Sequence, residues 1–188
     1  MKPLSLTLKN FGPYINETID FTKFEDSSLF LISGKTGSGK TTIFDGMSYA
    51  LFGESSGKLR LGKEMRSTFA DPSEATEVTL LFKHNEYLYE LNRLPEQELF
   101  KKRGTGVRKQ SAKISLIVKD AQGKELRAYS KRREVDELIQ ELLHLNANQF
   151  AQIVLLPQGE FRTFLIAKSD EKEKVLRNLF GTELYQLF

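Results

Sequence analysis

Several features are scarce in this sequence, and each absence excludes a class of protein. There is no cysteine, which excludes disulfides and cysteine-ligated zinc within the chain and agrees with a reducing compartment. With two histidines there is no histidine-rich metal cluster either. No apolar run approaches the roughly 20 residues of a membrane-spanning helix, and the N-terminus leads into strand-like alternation instead of a signal peptide. We therefore expect a cytoplasmic protein with no membrane partner.

The bulk composition is that of a globular protein. The chain has 188 residues, and 39% of them are hydrophobic, which is enough for a core. No linker or low-complexity segment divides it. Lysine and arginine exceed aspartate and glutamate by only 28 to 25, so the positive charge matters for function only where it is clustered.

One stretch matches the phosphate-binding P-loop pattern, G-x-x-x-x-G-K-[ST]. It consists of Gly34, Lys35, Thr36, Gly37, Ser38, Gly39, Lys40 and Thr41, followed by Thr42. In such a loop the glycines let several backbone N–H groups point at one phosphate, the lysine reaches the β- and γ-phosphates, and the hydroxyl after it binds Mg²⁺. The alternative is a Gly/Ser-rich surface turn that fits the pattern by chance.

The flanks of this stretch favour a working P-loop, which follows a buried strand and opens a helix. Residues 29–32 form a short apolar run typical of a central strand, and residues 41–52 have apolar side chains at helical spacing. Strands are also predicted at 2–10, 18–21, 76–83, 86–93, 113–119 and 153–156, with 76–93 forming a β-hairpin. Helices are predicted from an N-cap at Ser130 to about residue 145, and over 169–180.

Two basic clusters lie in segments that the sequence predicts to be loops. The first lies in a long loop over 57–72, and the second in a glycine-broken, flexible loop over 96–110. Their candidate DNA-contacting residues are Lys58, Arg60, Lys63 and Arg66, then Lys101, Lys102, Arg103, Arg108 and Lys109. Either cluster suits DNA phosphates, and either also suits a merely solvated loop.

Four motifs together resemble one known family. They are Phe-Gly-Pro-Tyr at 11–14, Gly-Lys-Thr-Gly-Ser-Gly-Lys-Thr-Thr at 34–42, Ala-Leu-Phe-Gly at 50–53, and Leu-Pro-Gln-Gly-Glu-Phe at 156–161. The combination resembles the SbcC family of SMC-like, ABC-type DNA-repair ATPases, over the whole of residues 1–188. The resemblance implies an α/β P-loop NTPase fold, namely the N-terminal lobe of an ABC/SMC-type ATPase head. Its central mixed sheet would carry an antiparallel β-subdomain and flanking helices.

The resemblance also implies a mechanism. Residues 34–42 would bind ATP, and Gln158, in a Q-loop at about 154–161, would join Thr41 as a ligand of Mg²⁺. ATP would join two copies of the head, bind double-stranded DNA on their upper surface, and gate an associated SbcD-type metallophosphoesterase nuclease that processes DNA ends. Such a complex would be cytoplasmic and associated with the nucleoid.

Several parts of such a head are missing from this sequence. No apolar run ends in Asp-Glu as in a Walker B motif, and no Leu-Ser-Gly-Gly signature occurs. In the family these lie in a C-terminal lobe beyond a coiled coil, which we expect to start after about residue 182. We therefore expect an ATPase lobe that supplies no catalytic base and is not competent for hydrolysis alone.

Three other functions remain open at this level. A transporter-type ABC ATPase shares the P-loop and Q-loop, but usually reaches its signature motif soon after the Q-loop. A related SMC-like ATPase acts in chromosome organisation or recombination without a nuclease. The chain in isolation is also compatible with a non-enzymatic nucleotide-binding module.

Overall fold

The computed structural model of the protein describes residues 1–24, 31–55, 62–101, 103 and 105–150, with the backbone alone at 62, 63, 148 and 149. The predicted strand at 153–156, the Q-loop with Gln158 and the helix over 169–180 lie outside these residues. So do Lys58, Arg60 and Lys102, and the side chain of Lys63.

The described residues form eight strands, three α-helices and two short 3-10 turns. The strands are β1 (Lys2–Phe11), β2 (Tyr14–Asp20), β3 (Glu77–His84), β4 (Tyr87–Leu94), β5 (Gln97–Phe100), β6 (Val107–Gln110), β7 (Lys113–Lys119) and β8 (Glu125–Tyr129). The helices are α1 (Lys40–Phe52), α2 (Arg132–Leu143) and α3 (Ala147–Phe150), and the 3-10 turns are Thr22–Phe24 and Gly62–Met65.

Six of the strands form one sheet in the order β2-β1-β3-β4-β7-β8, and every neighbouring pair in it is antiparallel. The register places four leucines side by side across the four central strands, because Leu6 pairs with Leu80, Leu80 with Leu91, and Leu91 with Leu116. All four are fully buried. This row is the centre of the core, and it lies on the face that the helices cover.

Helix α1 packs on this face against β1, β3 and β4. Ala50 and Leu51 are fully buried there, and a Cβ added at Gly46 would lie 2.6 Å from a methyl carbon of Leu8. Glycine at this position therefore lets the helix approach β1 closely. Helix α2 covers the β7 side of the same face through the buried Val135 and Ile139.

Most predicted elements are confirmed within one or two residues. The β-hairpin at 76–93 forms with Asn85 at a positive φ of 54° in its turn, as the Asn in a two-residue hairpin loop favours. The second strand is longer than predicted, because it starts directly after the Gly12-Pro13 turn at Tyr14. The sequence did not predict β8 or α3, whose residues have no strong apolar periodicity.

Three predictions need correction. The described part of 96–110 is not a flexible loop but a hairpin of β5 and β6, whose buried Gln97 and Leu99 attach it to the domain. The N-cap of α2 is Lys131 instead of Ser130, and α2 ends at Leu143 because His144 is left-handed. Leu31 and Ile32 are not in a strand, and Leu31 is 88% exposed, since no described strand lies beside them to pair with.

No helix among the described residues is long and apolar enough to cross a membrane.

Tyr49 on α1 gives a pH-dependent test of this packing. Its ring lies 5.9 Å from that of Phe11, its side chain is almost fully buried, and burial raises its pKa from 10.0 to about 12. A raised pKa favours the protonated form in the folded state, so the stabilisation is present below pH 10 and is lost between about pH 10 and 12. Phenylalanine has no hydroxyl to ionise. Between pH 10 and 12 we therefore expect the free energy of unfolding of Tyr49→Phe to fall by about 2–3 kcal/mol less than that of the wild type.

The measurement is urea unfolding of the wild type and of Tyr49→Phe at a series of pH values from neutral to strongly alkaline. Tyr87→Phe is the control, because Tyr87 is 45% exposed. Parallel pH curves for the wild type and Tyr49→Phe would contradict the buried position of the phenol.

Candidate functional site

The loop at 34–39 curls immediately before α1. Gly37 and Gly39 have φ angles of 85° and 90°, and Gly39 is the N-cap of α1. A Cβ at Gly39 would also lie 2.6 Å from Pro13 and 2.9 Å from the Tyr14 hydroxyl. Both conformation and space therefore demand glycine at position 39, which explains the second fixed glycine of the motif.

The ammonium group of Lys40 lies inside this loop and is hydrogen-bonded to it. Its Nζ donates hydrogen bonds of 2.8 Å to the carbonyl oxygens of both Gly34 and Lys35, and lies 3.5 Å from the Ser38 hydroxyl. A positive charge thus sits inside the curl of the loop, at the start of a 13-residue helix. The first turn of α1 contains no acidic residue, and Gly39 gives it no side-chain cap. The uncapped N–H groups, the helix dipole and the ammonium together suit an anion such as phosphate.

The Phe-Gly-Pro-Tyr motif, which the sequence placed only in a turn, contacts this loop directly. The Tyr14 hydroxyl donates a 3.2 Å hydrogen bond to the carbonyl oxygen of Gly39, and burial raises the pKa of Tyr14, with a smaller contribution from Glu17. A Cβ at Gly12, where φ is 56°, would lie 2.5 Å from the Thr42 methyl carbon. The turn between β1 and β2 therefore packs against the P-loop and the start of α1. It requires glycine at position 12, where the two segments come closest.

An open cleft of about 700 Å³ lies in front of the loop. One wall is the P-loop with the first turn of α1, and another is the Gly12-Pro13 turn. A third wall, which we call the 64–69 segment, contributes Glu64, Arg66, Thr68 and Phe69. The cleft brings together most of the predicted phosphate-binding residues, namely Gly34, Thr36, Gly37, Gly39, Lys40, Thr41 and Thr42.

The predicted metal ligands are only partly described. Thr41 lines the cleft, while Gln158 lies outside the described residues. Within the described part of the chain, no group of three or more histidine, aspartate and glutamate side chains is arranged to hold a metal ion.

Arg66, a candidate DNA contact, lines the cleft and also forms hydrogen bonds that hold the fold together. Its guanidinium donates to the carbonyl oxygens of Glu74 at 2.7 Å and Asp71 at 2.9 Å. It also donates to the Thr76 hydroxyl at 3.2 Å and to the Gln97 amide oxygen at 3.3 Å. These four bonds tie the 64–69 segment to the start of β3 and to the base of the β5–β6 hairpin.

The basic residues of the hairpin remain on the surface. Lys101, Arg103, Arg108 and Lys109 are exposed, and Lys109 forms a 2.9 Å ion pair with Glu96. The amide of Phe100 donates to the Pro72 carbonyl oxygen at 3.0 Å, so the hairpin lies against the chain that follows Arg66. The 64–69 segment, which carries Arg66, and the β5–β6 hairpin are therefore neighbours in the fold.

Arg93 is a structurally important residue that sequence reasoning missed. It lies on the buried face of β4, between Val78 and Ile114 in the register, and is 5% exposed. Its guanidinium donates to the carbonyl oxygens of Ala50 at 3.0 Å and Leu51 at 3.2 Å, which end α1, and to Asp136 of α2 at 3.0 Å. Burial lowers the pKa of Arg93, and the bond with Asp136 opposes that shift. The only signal in the sequence was its place in the apolar alternation of β4.

The comparisons with known proteins agree with this arrangement. The family model described as "AAA domain" matches residues 5–187. The chain belongs to the AAA domain family. Similar proteins, each named as the SbcC component of the SbcCD nuclease, occur in Lactococcus lactis, with 46% identity over 100% of this chain, and in Vibrio cholerae, with 45% identity over 98%. A third, from Staphylococcus aureus, is 46% identical over 99% of the chain.

These names confirm the resemblance to SbcC that the four motifs indicated. The chain spans 18% of the length of each of the three relatives. A solved structure from work titled "Structural biochemistry of ATP-driven dimerization and DNA stimulated activation of SMC ATPases" is 19% identical, covers 95% of this chain and 99% of its own, and has a TM-score of 0.49. Membership of the AAA domain family agrees with the P-loop fold and with nucleotide binding.

The role of Arg93 can be tested by its effect on stability. We expect Arg93→Met to lower the free energy of unfolding by about 2–4 kcal/mol, because the carbonyl oxygens at the end of α1 lose their charged donor. The measurement is urea unfolding followed by circular dichroism.

Arg133→Met is the matched control, since Arg133 is 89% exposed and pairs with Glu137 across one helix turn. We expect it to leave the unfolding free energy nearly unchanged. Equal effects of the two substitutions would contradict the anchoring role of Arg93.

Proposed function

We propose that this chain is the ATP-binding N-terminal lobe of an SMC-like DNA-repair ATPase head. The observation that carries the proposal is the P-loop with Lys40 held inside its curl at the start of α1. The shared motifs and the relatives named as parts of a nuclease complex support the repair role over transport. In this role ATP is the substrate, and the phosphates lie against residues 34–42.

Lys40 gives the binding site its main charge. When a phosphate chain enters, the ammonium exchanges its two carbonyl partners for phosphate oxygens, which are stronger acceptors because they are charged. The backbone N–H groups from Gly37 to Thr42 then surround the phosphates at the positive end of the α1 dipole. Tyr14 holds the Gly39 carbonyl oxygen and so keeps the loop in this shape.

Magnesium fits the side chains that we assign to it. The Thr41 hydroxyl and the Gln158 amide oxygen are neutral hard oxygen ligands, the kind that Mg²⁺ accepts beside substrate phosphates. Bound there, the ion would neutralise part of the negative charge that develops on the phosphates during transfer. Gln158 would also report whether the γ-phosphate is present.

In this proposal the chain supplies the phosphate site, and its sequence has no apolar run ending in Asp-Glu to provide the general base for water. We infer that the base and the signature motif belong to the C-terminal lobe of the same protein, and that a second head completes each nucleotide site. ATP would then join two heads, and hydrolysis would separate them. An SbcD-type metallophosphoesterase nuclease would be gated by this cycle on double-stranded DNA, in the cytoplasm beside the nucleoid.

The first test is ATP binding and turnover. We expect the 188-residue chain to bind ATP weakly and to hydrolyse it negligibly alone, with turnover restored on mixing with the C-terminal lobe. Lys40→Ala should lower ATP affinity by at least about 10-fold, because it removes a charged hydrogen-bond donor from the phosphates. Gln158→Ala should reduce turnover more than binding. Calorimetry measures the binding, and phosphate release measures the turnover.

Lys113→Ala is the charge-matched control, because Lys113 is an exposed lysine at the start of β7. Unchanged ATP binding in Lys40→Ala would contradict the P-loop assignment. Substantial hydrolysis by the chain alone would contradict the division of the site between two lobes.

A second test concerns DNA. Arg103→Ala/Arg108→Ala removes two exposed charges from the β5–β6 hairpin. The slope of log K against log salt concentration for duplex binding should therefore become less steep by roughly two. Fluorescence anisotropy with a labelled duplex, over a series of salt concentrations, measures that slope.

Lys131→Ala/Arg133→Ala changes the net charge equally on α2, where both side chains are paired with glutamates. The control variant should keep the wild-type slope. If both double variants change it alike, the hairpin is not the DNA contact.

A further inference from the structure

The 64–69 segment carries an aromatic side chain that lies outside the hydrophobic core of the described residues. Phe69 is 76% exposed, although it is one of the largest apolar side chains in the chain and lines the cleft in front of the P-loop. Single exposed apolar residues are common on protein surfaces. The position of this one, on the wall of a phosphate-binding cleft, calls for a separate explanation.

The backbone just before Phe69 is anchored by two hydrogen bonds to the β1 end of the sheet. Gly12 donates to the Met65 carbonyl oxygen at 2.7 Å, and Ser67 donates to the Asn10 carbonyl oxygen at 2.8 Å. The side chains of Met65 and Ser67 are 3% and 4% exposed. The segment is therefore hydrogen-bonded to the backbone at the end of β1.

The hydrogen bonds of Ser67 and Arg66 hold the turn that follows. The Ser67 hydroxyl accepts a 3.3 Å bond from the amide of Phe69, and Arg66 contributes its four bonds to the surrounding chain. Phe69 is thus presented from a fixed backbone. A side chain presented in this way loses little conformational freedom when a flat ligand packs on it.

The wall that carries Phe69 differs chemically from the P-loop wall of the cleft. The P-loop wall offers Lys40 and backbone N–H groups, which suit anions. The wall formed by the 64–69 segment offers the Phe69 ring, beside the side chains of Glu64 and Arg66. A nucleotide has this same division, with charged phosphates at one end and a flat, neutral base at the other.

We propose that Phe69 stacks on the base of the bound nucleotide. The inference rests on the proposed function, because it requires the phosphates to lie in the P-loop. Phe69 is then a binding residue for the base, and the 64–69 segment sets the distance between base and phosphates. Arg66 acts as a positioning residue through the segment that it holds.

The test separates the base from the phosphates by comparing ATP with inorganic tripolyphosphate, which lacks a base. Phe69→Ala in the 188-residue chain should weaken ATP binding by about 5- to 100-fold, the range produced by loss of one base–aromatic stack. Its affinity for tripolyphosphate should equal that of the wild type. Isothermal calorimetry measures both ligands, and Tyr87→Ala, an exposed aromatic at the far end of β4, is the control.

A second variant gives a spectroscopic readout. The chain contains no tryptophan, so Phe69→Trp introduces a single indole and keeps an aromatic ring at this position. Its emission should be quenched by ATP but not by tripolyphosphate, and its ATP affinity should be close to that of the wild type.

Unchanged ATP affinity in Phe69→Ala, or an equal loss for ATP and tripolyphosphate, would overturn the proposal while leaving the P-loop assignment in place. Emission of Phe69→Trp that ATP does not change would also overturn it. If the wild type binds neither ligand, the proposed function itself fails, and the stacking role fails with it.

Discussion

Helix α1 is fixed at both ends by contacts with the sheet that it covers, and the position of the phosphate loop depends on that fixation. At its start, Gly39 lies against Pro13 and accepts a hydrogen bond from Tyr14. At its end, Arg93 donates to two carbonyl oxygens of the last turn. Between them, Gly46 lets the helix approach Leu8 on β1. A helix held in this way keeps its N–H groups aimed at one point, which a preorganised anion site requires.

The arginines in the described part of the chain include a structural group and a surface group. Arg66 and Arg93 direct their guanidinium groups at backbone carbonyl oxygens and hold segments of the fold together. Arg103 and Arg108 lie exposed on the β5–β6 hairpin. Positive charge in the sequence therefore does not translate directly into a surface for nucleic acid. Within the described part of the chain, the hydrogen bond between Arg66 and Gln97 connects the 64–69 segment to this hairpin.

The local pattern of apolar and polar residues was enough to predict most elements of the fold. The alternating leucines of β1, the hairpin of β3 and β4, and the apolar spacing of α1 each indicated their structure, because one face of each is buried. The β5–β6 hairpin was missed because its stability comes from Gln97 and Leu99 packing on distant residues. Leu31 and Ile32 were predicted to be in a strand from their apolar character, yet a strand also needs neighbours, and none is present among the described residues.

The sequence by itself predicted the chemistry of the site, because glycines at fixed spacing before Lys40 and Thr41 have few other physical uses. It also determined the family, through motifs spread over the chain. Only the tertiary structure decided what surrounds the P-loop, since Gly12, Tyr14 and Phe69 reach the P-loop and its cleft through antiparallel pairing and backbone contacts between distant segments. It also decided that Arg93 anchors α1, because a charge in an apolar alternation identifies no partner until helix and sheet are packed together.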